Sequence, residues 1–405
     1  MGLDATTLFT YDRRGRLIGA FAEGANFRRG LDNRVLMKWQ EGNPPRRARR
    51  ELHGPEKERV LAMAQAAAQT ALTAAERGNA TITAEGAELP LLPAEDADVL
   101  RLAAALGPAE LEADRDAFYR IYRPVPILPP DKYLAVVLQA TEGCSYNRCS
   151  FCTFYRGTPF RVKDAQEFRE HVRAVKQFLG PAIGLRRAAF LGDANALVAP
   201  HQHLVQLMQV VAEEFMLAPR GMDLRGRQLR AWMAAHPEAL DGVYSFLDVF
   251  NSRRMTASEF AELAELGLRR VYIGLETGDK RLLKFLRKPG MPDDAVRVVR
   301  DLKAAGVAAG VIVMAGIGGR EYAQEHVERT SEVLRAMELG VGDLVYFSPF
   351  VDTGTEYAEL AARAGITPLD EEEMAAQRQA IQSAIRQRSS DWPATALYDI
   401  REFVY

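Results

Sequence analysis

From residue 134 onward, short apolar runs alternate with longer stretches in which apolar residues recur every three or four positions. That alternation predicts strands followed by helices. The runs at 134–139, 187–191, 243–250, 270–275, 309–314 and 344–347 are each four to eight residues long, mostly apolar, and followed by polar or glycine-rich residues. Helical periodicity falls between them at 165–179, 201–215, 256–266, 292–305 and 321–339. Strands separated by helices in this way predict an α/β fold with a parallel sheet and chemistry at the C-terminal ends of the strands. The connection 218–241 is longer than a simple loop needs and is expected to be a peripheral helical decoration.

Before residue 130 the pattern differs. Two strands, 8–11 and 16–21, flank Asp12-Arg13-Arg14-Gly15, which reads as a hairpin turn. An alanine-rich helix spans 55–77 and is closed by Gly78, and two more helices are expected within 94–122 before the proline-rich linker 123–130. Three segments follow: an N-terminal accessory module (1–130), a β/α core (131–355) and a C-terminal extension (356–405) that opens as a helix and ends in an aromatic-containing stretch.

Composition narrows the class. The 405 residues are 48% hydrophobic and 26% charged with a net charge of -2, as in a soluble globular protein. No charged-then-apolar leader opens the chain, and 304–319 is too short and glycine-rich for a membrane span, so a cytoplasmic location without membrane association is expected. Charge is uneven along the chain. Between Arg13 and Arg50 there are eleven Lys or Arg against three acids. This stretch either meets a phosphate-bearing or nucleic-acid partner or forms an acid-paired, solvated face, and the second reading is favoured.

All three cysteines, Cys144, Cys149 and Cys152, lie in the loop after the first core strand, within TEGCSYNRCSFCTFYRGTPFR. An odd number at this spacing makes a poor disulfide framework, whereas three thiolates in nine residues can wrap a soft metal centre in a reducing compartment. A structural zinc ion would need a fourth ligand such as His171. A four-iron cluster usually takes four cysteines, so three leave one iron open to a ligand.

The C-x4-C-x2-C loop, with Phe151 before the last cysteine, resembles the radical S-adenosylmethionine (radical SAM) superfamily. The usual spacing there is C-x3-C-x2-C, and GCSYNRCSFC is similar to an Fe–S oxidoreductase-like branch with one more residue. The resemblance covers about 133–355. It implies a partial (β/α)6 TIM-like barrel carrying an N-terminal α+β module and a C-terminal helical extension. It also implies one [4Fe-4S] cluster on Cys144, Cys149 and Cys152, and S-adenosyl-L-methionine (SAM) as a second cofactor. Reductive cleavage of SAM to a 5′-deoxyadenosyl radical and hydrogen abstraction from a small-molecule substrate follow as the expected activity, under low-oxygen conditions. The electron donor would be a flavodoxin or ferredoxin.

The same resemblance places cofactor contacts at the strand ends. Phe151 falls where an aromatic packs against adenine. Gly192 and Asp193, in FLGDANALV, stand where a Gly-Gly-Glu-like motif receives the SAM ammonium, with Asp for Glu and one glycine fewer. Glu276, between Gly274 and Gly278 in VYIGLETGD, is positioned for the ribose hydroxyls. Gly316 and Ile317, in VIVMAGIGGRE, match an adenine-contacting backbone. Asn251 is a weaker candidate of the same kind, as is Arg253. His201 and His203, two apart on a helix, point to different faces and are read as surface residues. Three cysteines leave none for an auxiliary cluster, and the N-terminal module lacks the D-x-H-x-x-G element of cobalamin domains. Two other readings stay open: a nucleic-acid-modifying or nucleic-acid-binding protein using the basic stretch, and a non-catalytic Fe–S, zinc or haem-binding protein.

Overall fold

Asp12 and Gly15 close the first turn, the Gly15 amide donating to the Asp12 carbonyl at 2.9 Å. In the computed structural model, which describes residues 1–4, 6–43, 45–84, 86–223, 226–249, 255–386 and 392–405, this turn joins two strands of a six-stranded antiparallel meander. The strands β1 (Gly2–Asp4), β2 (Thr7–Tyr11), β3 (Leu17–Ala22), β4 (Ala25–Arg29), β5 (Val35–Glu41) and β6 (Arg46–Leu52) pair in sequence order. The helix α1 (Gly54–Glu76) brings Val60, Leu61 and Ala64 against Phe9, Leu17, Phe27 and Val35 from the sheet. A hairpin of β7 (Ile82–Ala84) and β8 (Ala87–Leu89) precedes α2 (Ala94–Ala105) and α3 (Pro108–Ile121). The chain divides into two units: Met1–Leu128 with Ala174–Leu185 and Arg401–Tyr405, and Pro129–Arg173 with Arg186–Ile400.

The basic stretch is therefore β3 to β6 and their turns rather than an extended arm, and acids accompany it. Arg16 meets Asp12 at 2.7 Å, Arg29 meets Asp114 at 3.4 Å and Arg34 meets Asp32 at 2.7 Å. Lys38 pairs with Glu402 and Arg50 with Glu56. Arg16 and Arg29 are buried, where a charge needs such a partner.

The second unit holds the β/α core. After β9 (Val136–Gln139), the two-residue strands β10 (Thr141–Glu142) and β11 (Arg161–Val162) pair antiparallel around the cysteine loop. The remaining strands are β12 (Ala189–Gly192), β13 (Val243–Leu247), β14 (Leu268–Glu276), β15 (Ala308–Ala315), β16 (Leu344–Pro349) and β17 (Ala394–Leu397). With β9 they form an open seven-stranded sheet in the order β9-β12-β13-β14-β15-β16-β17, all parallel. The helices between them are α4 (Ala165–Leu179), α5 (His201–Glu214), α6 (Arg227–Ala235), α7 (Ala257–Glu265), α8 (Lys280–Phe285), α9 (Pro292–Ala304), α10 (Gly319–Ala336), α11 (Glu356–Arg363) and α12 (Glu371–Arg386). Every residue of β14 but Gly274 is buried, as expected of a strand covered on both faces.

One detail differs from the expectation and one agrees with it. The C-terminal extension is not wholly helical, because after α11 and α12 it adds β17 as a seventh strand beside β16. The 218–241 connection carries α6, whose Leu229 and Met233 pack on Ala218 in a small cluster of their own.

One face of the sheet is filled by aromatic rings. Phe190, Phe246, Tyr272, Tyr346 and Tyr398 follow one another at centroid separations of 5.0, 6.0, 6.4 and 5.6 Å. Gly310 makes room for this, since a Cβ there would collide with the Tyr272 ring. Asp131 accepts the Tyr272 and Tyr346 hydroxyls at 2.8–2.9 and 2.7 Å and pairs with Arg270 at 3.0 Å, which satisfies the polar ends of those two rings. No helix among the described residues is long and apolar enough to cross a membrane.

Candidate functional site

The cysteine loop is closed at its base and anchored at its tip. At the base, Arg161 on β11 forks onto the Glu142 carboxylate of β10 at 2.6 and 3.0 Å. At the tip, the Ser150 amide and hydroxyl both donate to the Leu286 carbonyl, at 3.0 and 3.1 Å, and the Tyr146 hydroxyl donates to the Arg287 carbonyl at 2.8 Å. Asn147, with φ of 51°, turns the chain so that its amide donates to Cys144 Sγ at 3.4 Å and its side chain to the Tyr155 carbonyl at 2.8 Å. The three cysteines are partly buried and not disulfide-bonded.

Burial pushes the Cys149 thiol up to about 12 and Cys152 to about 11, and raises Cys144 as well; the nearby Lys288 ammonium pulls all three down, while Asp248 raises Cys144 and Cys149 and Glu276 raises Cys149 and Cys152. A thiol must lose its proton to bind metal, so a cation beside the loop favours the ligating form. Among the described residues no three His, Cys, Asp or Glu side chains group around one point as a single-ion site. A cluster asks each thiolate to meet its own iron instead, and three soft donors on one anchored loop have the chemistry for it.

The strand ends bring polar groups to the same region. Asp193, just past β12, is buried; Gln139 Nε2 donates to its Oδ1 at 2.8 Å and the Gly143 amide to its Oδ2 at 3.3 Å, which links it to the residue before Cys144. Burial raises its carboxyl to about 6, against the pull of those two hydrogen bonds. Glu276 ends β14 in the left-handed region, at φ of 61°. Its Oε1 accepts from Lys288 Nζ at 3.0 Å, and Lys288 also stands 3.6 Å from Asp248 beyond β13. Asn195 in turn meets Asp248 through its side chain, at 3.3 and 3.4 Å.

The glycines beside Glu276 differ in purpose. A Cβ on Gly274 would run into the Glu276 carboxylate and Lys288, so that glycine makes space for the ion pair. Gly278 instead lies against the α10 backbone and donates to Thr330 Oγ1 at 2.9 Å, which makes it a helix-packing position. Ile317 is fully buried with Leu282, Leu286 and Tyr357, and Phe151 packs against that cluster from the cysteine loop. The Gly316 amide donates to Gln377 on α12. Asn251 and Arg253 lie outside the described residues.

The histidines are accounted for. His201 meets Glu262 at 2.6 Å and His203 meets the Lys163 carbonyl at 2.7 Å, so the two point apart. His171 Nε2 accepts the Gln139 amide at 3.0 Å. Reading the sequence missed Lys288, Asp248 and Asn195. The only signal for Lys288 was its place in LRKPG after α8, a context that reads as a solvated turn.

The family model described as the radical SAM superfamily matches residues 138–334. An uncharacterised methyltransferase of Pyrococcus horikoshii is 24% identical over 247 residues, which are 58% of this chain and 46% of that protein. The 4′-phospho-dehydrooxetanocin synthase of Priestia megaterium is 24% identical over 227 residues, 52% of this chain and 28% of that one. The chain thus spans less than half the length of these curated relatives. Among solved structures, coproporphyrinogen III oxidase from Escherichia coli, described as a radical SAM enzyme, aligns with a TM-score of 0.41 and 12% identity over 67% of this chain and 56% of that one. From the cysteine loop's strand through most of α10, the chain carries a radical SAM superfamily domain.

Proposed function

We propose that this protein is a radical SAM enzyme that uses a [4Fe-4S] cluster and SAM to remove a hydrogen atom from a small-molecule substrate. The observation that carries the reading is the convergence of one anchored three-cysteine loop with two strand-end carboxylates, Asp193 and Glu276. Cys144, Cys149 and Cys152 would hold the cluster and leave one iron open for the amino and carboxylate groups of SAM. Bound together, cluster and SAM supply a one-electron route to a 5′-deoxyadenosyl radical.

The chain's residues bind and orient. Asp193, tied by Gln139 and Gly143 to the root of the loop, receives an ammonium group once ionised. Glu276 is held by Lys288 and offers its other oxygen to hydroxyls. Phe151 and the backbone around Gly316 and Ile317 form an apolar wall suited to a planar base. Asn251 is assigned a supporting contact. A low-potential protein such as a flavodoxin or ferredoxin supplies the electron, in a reducing cytoplasm where the thiols persist. The ion-paired state of Arg16, Arg29, Arg34, Lys38 and Arg50 supports a folded surface over a nucleic-acid arm.

The test is anaerobic reconstitution with iron and sulfide, reduction with dithionite, and addition of SAM. The expected products are 5′-deoxyadenosine and methionine from wild type and neither from Cys149→Ala. A protein that takes up zinc alone, or a cluster that never cleaves SAM, overturns the reading in favour of a metal-binding protein.

A further inference from the structure

Lys288 is a buried cation of the site, and nothing in the proposed chemistry uses it directly. It sits two residues after Leu286 and one after Arg287, the two carbonyls that receive Ser150 and Tyr146 of the cysteine loop. Whatever fixes that turn fixes Lys288 beside the loop. Its side chain is only 7% exposed, and its ammonium is held by Glu276 at 3.0 Å and Asp248 at 3.6 Å, at the ends of two neighbouring strands. Gly274 keeps the space that this arrangement fills.

A lysine at this depth is expensive unless its charge is compensated, and a well-packed apolar residue often does the purely structural part as well. Here two carboxylates face one ammonium, and Asp248 reaches the cysteines as well, opposing the ammonium at Cys144 and Cys149. Burial opposes the Lys288 charge, but Glu276, Asp248 and Cys149 outweigh it and keep the amine protonated, and Cys144 and Cys152 also lie within its field. The ammonium therefore remains a fixed positive charge next to the thiolates. The potential of an iron–sulfur centre follows the net charge and hydrogen bonding around it.

We propose that Lys288 tunes the reduction potential of the metal centre held by Cys144, Cys149 and Cys152, raising it toward the reach of the electron donor, and that Asp248 partly offsets this. Lys288 is a positioning residue in this role and touches no reacting atom. The inference rests on the cluster reading above and names what controls that cluster.

The experiment is an EPR-monitored redox titration of the reconstituted full chain, comparing wild type with Lys288→Met, Lys288→Arg and Asp248→Asn. Removing the positive charge in Lys288→Met lowers the reduced-to-oxidised ratio at fixed poise by about tenfold, which is 59 mV for a one-electron couple. Lys288→Arg restores it, and Asp248→Asn shifts the midpoint the other way. Coincident midpoints for cluster-replete wild type, Lys288→Met and Asp248→Asn overturn the inference while leaving the cluster reading intact. If Lys288→Met loses its cluster on folding, the sign of the Asp248→Asn shift decides. A wild-type chain that binds no cluster overturns both.

Discussion

Gln377 on α12 accepts the backbone amide of Gly316 at 2.8 Å, so the C-terminal extension sits directly on the end of β15. Gly316 has φ of 89°, and a Cβ there would stand 2.6 Å from Met374 Sδ on the same helix. Gly316→Ala is expected to destabilise by about 2 kcal/mol, since left-handed backbone alone costs a side chain ~1–3 kcal/mol. Gln377→Ala strands a buried amide and is expected to cost about 1–3 kcal/mol. Urea unfolding measures both. If each shifts the midpoint by less than 0.5 kcal/mol equivalent, roughly the noise of a surface change, α12 does not seat on β15 as described.

His326 on α10 is fully buried, its Nδ1 within 2.8 Å of Thr277 Oγ1. Burial lowers its imidazole from the usual 6.5 to about 4, with Asp279 opposing only in part. The neutral ring is therefore the folded form. Below pH 6.5 the unfolded chain takes up a proton that the folded chain refuses, so stability is lost as pH falls from 6.5 to 4, by about 3 kcal/mol in total. His326→Leu should flatten that part of the stability–pH curve relative to wild type. Parallel curves for the two proteins across the window would refute the assignment.

Asp193 makes the opposite prediction for ligand binding. Its carboxyl is raised to about 6, so it is mostly neutral at pH 5 and mostly ionised at pH 7. An ammonium group binds the ionised form. SAM affinity of the reconstituted protein should strengthen from pH 5 to 7, and Asp193→Asn should be weaker by about tenfold at pH 7, a charge-assisted hydrogen bond being worth roughly 1.5–3 kcal/mol. Equilibrium dialysis gives the numbers. A variant whose affinity equals that of wild type at both pH values removes Asp193 from the SAM site.

The parts of this architecture that depend on neighbours in sequence were legible before the structure, and those that depend on strand order were not. The cysteine loop is local, so its residues and position after β9 could be read directly. The six apolar runs became β9 and β12 to β16 because strands buried on both faces carry an uninterrupted signal. The edge strand β17 was missed: ATAL is short and half exposed, and only its pairing with Leu344 to Phe347 of β16 makes it a strand. Lys288 was missed for a related reason. Its partners Glu276 and Asp248 lie 12 and 40 positions away, and they meet only because β13 and β14 are neighbours. The sequence places Gly278 beside Glu276 as a glycine that permits close backbone approach, and that approach is to α10.

Tyr398, the first residue after β17, ends the aromatic series with its ring 5.6 Å from that of Tyr346. Its amide donates to Phe347, which sets it at the level where β16 ends, and its side chain is buried. The hydroxyl has no hydrogen-bond partner among the described residues. Burial pushes its ionisation well above the ordinary phenol range, and Tyr155 of the cysteine loop and Glu276 are among the groups that reinforce this, so the phenol stays protonated. A buried hydroxyl without a partner costs about 1–3 kcal/mol. Removing the oxygen alone should therefore cost nothing: Tyr398→Phe is expected to unfold at the same or a higher urea concentration than wild type, with an unchanged m value. That outcome shows that the hydroxyl makes no stabilising hydrogen bond in the folded protein. A loss of more than about 1 kcal/mol, the net worth of a typical hydrogen bond, would instead show that the hydroxyl is already bonded in the ligand-free protein and that the tyrosine serves the core.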